Sequence, residues 1–178
     1  MGFRIKPAAV SAFLGLTACV SVSPMTQELW SQDIDLALQT SPGRLRELAD
    51  GGDERAMIAY AIVVRYGLNG VAADPVEAAR YEAMATKPAG YHTNFIWMPK
   101  TKDSPGYLMP ITTATYSYSP VQAASVAACA AILAPSDDPP GLADRLARGV
   151  CGGEANYRRL KGQWHRTGTY NRNDGRNL

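Results

Sequence analysis

Histidine is scarce in this chain: only His92 and His165 occur among 178 residues, and they fall in different segments. Neither has a neighbour in sequence for proton transfer near neutral pH or for metal binding, so they read as a loop residue and a helix-end residue. Four chemistry-bearing patterns are also missing: HExxH, GxSxG, GxGxxG, and GxxxxGK followed by Ser or Thr. Their absence removes the zinc-protease, nucleophile-elbow, dinucleotide-binding and P-loop signatures. The acidic pairs Asp33/Asp35 and Asp137/Asp138 fit a solvated helix face and a helix start. No catalytic residue, cofactor or metal ligand is assigned, and an enzyme is not expected. No apolar run reaches the roughly 20 residues that span a bilayer as a helix, which excludes a polytopic membrane protein. The 16 Gly and 12 Pro are scattered and not organised in low-complexity tracts. A length of 178 residues suits one domain and excludes a large multidomain enzyme.

Charge of one sign is lacking too, once its position is considered. The formal net charge is +2, and both surplus cations, Arg4 and Lys6, lie in the first six residues. They precede an apolar run from Ala8 to Leu16, broken only by Ser11 and Gly15. That run is about half the length of a membrane-spanning helix and fits the core of a signal peptide. The next step ends in Leu16-Thr17-Ala18-Cys19, which resembles the lipobox of bacterial lipoproteins, where the Cys is diacylated and becomes the first mature residue. The resemblance implies a signal peptide over 1–18 and a lipidated tether over 19–26. Because Val20 and not Asp follows the Cys, it implies the periplasmic face of an outer membrane. Several acyl chains would anchor stably, each buried methylene contributing about 0.8 kcal/mol. The alternatives are an ordinary cleaved signal that leaves Cys19 a thiol, or cleavage near Ser21 to Ser23. Both still export the chain.

Without residues 1–18, 16 Lys and Arg face 16 Asp and Glu. The balance is uneven: residues 141–178 carry eight cations against Asp144, Glu154 and Asp174, leaving +5 there and −5 elsewhere. Arg158, Arg159 and Lys161 are the candidates for binding peptidoglycan carboxylates or anionic lipid. Nucleic acid is not an expected partner, since export takes the chain away from it. With Cys19 acylated, Cys129 and Cys151 remain, and an oxidising compartment favours a bridge between them. Two buried apolar thiols are the alternative, because Cys129 sits in an Ala-rich helical segment. In a plain helical hairpin turning near Pro135 the two would be offset by about 12 Å at 1.5 Å per residue. The glycines around Cys151 would have to fold it back.

Apolar spacing predicts a helix over Gln27–Leu38, a short one after Pro42-Gly43 carrying Leu45, Leu48 and Ala49, and two more within residues 51–86. The first of those two runs through Ala56, Ala59, Tyr60, Val63 and Val64 and stops at Tyr66-Gly67. The second starts at Asp74-Pro75, an N-cap followed by proline, and continues through Ala78, Ala79 and Tyr81. This pair resembles a Sel1-like repeat, a relative of the tetratricopeptide fold, on Gly52-Asp53, Ala56, Tyr60-Ala61, Tyr66-Gly67, Gly70-Val71, Asp74, Ala78-Ala79 and Tyr81. Tyr81 stands where many copies carry Trp. An unrelated Ala-rich hairpin is the alternative. A lone repeat leaves an apolar face open, so a neighbour is expected. Asp138-Pro139, Ala143 and Ala147 repeat Asp74-Pro75, Ala79 and Ala83 at an offset of 64 residues, which suggests a degenerate second unit over 120–149.

Between the units lies an insertion over 91–118, rich in Thr and Tyr, with runs Phe95–Met98 and Ile111–Tyr118 about a turn at residues 103–106. A β-hairpin or ordered loop is expected there. Its Trp97, Tyr107, Tyr116 and Tyr118 are candidates for partner binding, and the competing reading is that they cover the gap between the units. A last helix is expected from Glu154 to about Trp164, then a polar tail over 165–178. The expected fold is therefore mainly α, a short stack of Sel1/TPR-like α-hairpin repeats over 27–164 with a small insertion. Sel1-like proteins generally act as adaptors. The resemblances together imply an outer-membrane lipoprotein that binds an envelope protein, or else a structural lipoprotein that binds the cell wall through its basic end.

Overall fold

A computed structural model describes residues 24–102, 104–134, 141, 145 and 149–167. The lipobox, most of the lipidated tether, most of the second helix expected over 136–149 and the tail from 168 onward lie outside the described residues. The order of elements is α1 (Pro24–Gln39), α2 (Pro42–Asp50), α3 (Glu54–Tyr66), α4 (Pro75–Ala85), β1 (Gly90–Met98), β2 (Tyr107–Thr115), α5 (Pro120–Leu133) and α6 (Glu154–Arg166).

The helix boundaries follow from local chemistry. Asp53 accepts a hydrogen bond from the Ala56 amide and opens α3, with Glu54 in the first turn and Arg65 in the last to match the helix dipole. Gly67 closes it at φ 64°, a left-handed conformation that a side chain would strain. Asp74 accepts from the amides of Val76 and Glu77, and Pro75 supplies a preset φ at the first position of α4. Ser119 and Pro120 do the same for α5, the Ser119 side chain accepting from the Gln122 amide.

Every residue of α3 from Ala56 to Val64 is buried. A helix that is apolar all round belongs at the centre of a core. Around it pack α1 through Ile34, Ala37 and Leu38, α2 through Leu45 and Ala49, and α4 through Ala78, Tyr81 and Ala85. Tyr81 meets the Tyr60 ring edge-on at 4.8 Å and donates to Asp50 Oδ1 at 2.7 Å, so its polar end is satisfied inside the core. On the other side α5 and α6 close over α1 with Val126, Leu133, Leu160 and Trp164.

This arrangement corrects the expected fold class. The described chain is a mixture of six helices with a two-stranded antiparallel sheet, not a purely helical repeat stack. The physical reason is twofold. The apolar face of the α3–α4 pair is covered by α1 and α2, which precede it, so it needs no second repeat to bury it. The insertion is a full hairpin with nine residues in each strand, an architectural element in its own right.

Cys129 and Cys151 are joined, with their Cα atoms 5.0 Å apart. The expected offset between two straight helices does not arise, because Cys151 lies in a turn and not on a helix. Gly149, Gly152 and Gly153 take φ of 74°, 73° and 88° on either side of it, folding the chain back against the last turn of α5.

Candidate functional site

The sheet pairs Gly90 with Thr115 through to Met98 with Tyr107 in an unbroken antiparallel register. Tyr, Thr, Phe, Ile and Trp fill the strands, types that suit a pleated backbone. Thr93 and Thr112, opposite one another, hydrogen-bond through their hydroxyls at 3.0 Å. The hairpin leaves the helical body after α4 and returns before α5. Among the described elements, its substantial contacts are those between its own two strands. It is an arm that stands off the body.

Its side chains divide along its length, not between its faces. Near the root are His92, Thr93, Asn94, Thr112 and Thr113. Farther out, both faces are apolar: Phe95 and Trp97 with Pro110 and Leu108 on one, Ile96 and Met98 with Met109 and Tyr107 on the other. No Asp, Glu, Lys or Arg occurs in either strand, and Lys100 and Lys102 sit in the connecting turn. Exposure is high: Tyr91 73%, Phe95 65%, Trp97 60%, Leu108 58%. The Trp97 ring lies against Gly106, where a methyl group would come within 2.5 Å of it, so glycine is what lets the indole lie flat at the turn. At about 150–250 Å² per aromatic side chain, the exposed apolar surface of the arm is on the order of 600 Å², the upper end of what a monomer usually shows.

Of the four aromatic candidates, Trp97, Tyr107 and Tyr116 are exposed, and Tyr118 is not. Tyr118 is corrected to a core residue: it is 2% exposed, and its hydroxyl donates to Asp33 Oδ2 at 2.7 Å. Burial, then the Asp33 charge and the hydrogen bond to it, push its pKa far above the ordinary tyrosine value. The other carboxylate oxygen of Asp33 accepts from Arg55 Nε at 2.7 Å. Asp33 is fully buried, so the Asp33–Arg55–Tyr118 network ties α1, α3 and the return of the hairpin together. Asp33 was expected on a solvated face. Its spacing held a contrary signal, since Ala37 lies four residues along on the same side of α1.

The basic candidates are engaged with the fold to different degrees. Arg159 makes a two-pronged contact with Asp35, at 2.8 and 2.9 Å, joining α6 to α1. Lys161 donates to the Leu133 carbonyl at 2.8 Å, at the end of α5 where a cation is favoured, and burial lowers its pKa. Arg158 is exposed and pairs along its own helix with Glu154. The structure thus does not gather the three into a free cationic patch.

His92 lies on the exposed arm with its Nε2 bonded to Asn94, and His165 is exposed near the end of α6. Among the described residues no group of three His, Cys, Asp or Glu is placed to hold a metal ion, and no helix is long and apolar enough to cross a membrane. Open grooves mark the body, and two of them are the larger among the described residues. One of about 400 Å³ runs past Gln32, Asp35, Gln39, Asp53 and Arg55. The other, of about 340 Å³, lies between α4 and α5 and is lined mostly by alanine. No family model, curated protein or solved structure matches this chain.

Sequence reasoning found the aromatic character of residues 91–118 and missed the part played by Phe95, Ile96 and Leu108. The signal was available in the absence of charge from both strands. A half-buried strand alternates apolar with polar residues, whereas Phe95-Ile96-Trp97-Met98 is apolar on both faces.

Proposed function

We propose that this protein is a lipid-anchored envelope protein, held through Cys19 at the periplasmic face of an outer membrane, and that it docks protein surfaces through its β-hairpin. The observation that carries the reading is the arm itself: a hairpin without charged strand residues, apolar on both faces over its outer half, standing clear of the helices. Two-stranded hairpins are at best marginally stable in water alone, and exposed aromatic clusters of this size mark contact surfaces. The lipobox resemblance supplies the anchor, and the Sel1-like resemblance of residues 51–86 agrees with an adaptor. The role is binding and not catalysis. The rival reading, a cell-wall or anionic-lipid ligand held by Arg158, Arg159 and Lys161, loses support because Arg159 and Lys161 are bonded within the fold.

The test is in-cell crosslinking of the full chain, read by mass spectrometry, beside two variants. Cys19→Ala is expected to release the protein from the membrane fraction. The combined change Phe95→Thr, Trp97→Thr and Leu108→Thr keeps strand-forming side chains while removing the apolar surface, and it is expected to abolish protein adducts without changing the melting temperature. Adducts that survive this change undisturbed would refute the docking role. Recovery of cell-wall fragments with no protein adduct would favour the basic end.

A further inference from the structure

The two edges of the hairpin are not equivalent. β2 contains Pro110 opposite Phe95 in an unbroken register. Proline is tolerated inside a paired strand where its nitrogen faces away from the partner, so Pro110 removes a donor from the middle of the outer edge of β2. The outer edge of β1 has no such block. Over nine residues, Gly90 to Met98, it carries no proline, no charged side chain and no bulge, and no described helix packs along it. Natural sheets protect an open edge with one or more of these devices.

Resting on the reading of the hairpin as the docking element, we infer that the β1 edge pairs with β1 of a second copy of this chain, antiparallel and about a two-fold axis. The asymmetry of the edges selects this arrangement. Pairing of β1 to β2 would be head-to-tail and would propagate into an open sheet, and Pro110 disfavours it. Pairing of β1 to β1 is self-complementary and closes after two copies. The product is a four-stranded sheet ordered β2-β1-β1-β2, past the three strands at which a sheet with an apolar face becomes stable. Edge pairing joins main-chain donors and acceptors along the nine residues of each β1, and the side chains of both faces stay outside the contact. The strands bring no like charges into opposition. The antiparallel sense also holds the Lys100 and Lys102 turns of the two copies about 30 Å apart, beyond the screening length of about 8 Å.

Full overlap of the nine residues puts Asn94 of one copy opposite Asn94 of the other. Asn94→Cys in the full chain, treated in cells with a short thiol-to-thiol crosslinker, is therefore expected to shift to twice the mass of the chain. Val76→Cys, an exposed position on α4, and the parent chain are expected to remain single. Adding His92→Lys and Ile96→Lys to Asn94→Cys sets Lys directly opposite Lys at two places across the new pairing, since 92 of one copy faces 96 of the other, and is expected to remove the double-mass product while leaving the melting temperature unchanged. An adduct at Asn94 with a different polypeptide would overturn the self-pairing and leave the hairpin as a docking element. No adduct at Asn94 would overturn the self-pairing alone, because the docking role is tested separately by the Phe95→Thr, Trp97→Thr, Leu108→Thr chain. Equal doubling at Asn94 and Val76 would also overturn the self-pairing, because it would show crowding in place of a specific contact.

Discussion

Replacing Asp33 with Ala lowers the stability of the folded chain by about 3 kcal/mol, the low end of what breaking a buried ion pair costs. The low end applies because the Arg55 side chain, 43% exposed, can turn to water when its partner is gone, whereas Asp33 is fully buried. The second loss is at Tyr118, whose buried hydroxyl would be left without its acceptor, a penalty of the same order as a deleted hydrogen bond. For a fold of this size the change corresponds to a fall of roughly 6–12 °C in melting temperature. Arg159→Gln, which breaks the half-exposed contact to Asp35, is the comparison: surface pairs contribute about 0–1 kcal/mol. A loss at Asp33 no larger than that at Arg159 would show that the network does not hold the hairpin's return in place.

Removal of the Cys129–Cys151 bridge costs about 3 kcal/mol. The estimate comes from the loop-closure entropy of a cross-link across 22 residues. Both half-cystines are buried, at 1% and 2% exposure, so the Cys129→Ala, Cys151→Ala chain also leaves unfilled space beside α5 and α6. Denaturant unfolding of that chain, and of the parent chain with and without reductant, measures the effect. Unchanged midpoints would mean that the turn between Gly149 and Gly153 keeps its place without the bond.

Much of the helical body was legible because its signals are local. Asp53 and Asp74-Pro75 start helices where they stand in the sequence, and Gly67 ends one, since capping and left-handed φ involve only neighbouring residues. The cysteine pair was legible from arithmetic and the expectation of export, and its geometry was not, because the glycine turn that folds Cys151 back has no helical period. The repeat stack failed for a different reason. An apolar helix face shows that it needs cover but not which element supplies it, and α1 and α2 supply it here. Tyr118 illustrates the same limit. It shares composition with Trp97 and Tyr107, and only the buried Asp33, 85 residues away, separates a core tyrosine from an exposed one. The separate standing of the hairpin was half legible: strand propensity marked the strands, whereas their lack of a covering helix is a property of the whole fold.

The central claim is that the hairpin stands apart from the body and is free to dock. Amide hydrogen exchange of the isolated full chain with the Asn94→Cys site unmodified, followed residue by residue, tests it most directly. Amides of Gly90–Met98 and Tyr107–Thr115 are expected to exchange orders of magnitude faster than those of Ala56–Val64 when the chain is dilute and single. On raising the concentration, protection is expected to appear first along β1. Hairpin amides as slow as those of α3 in the dilute single chain would contradict the account, because they would place the arm inside the body's cooperative core.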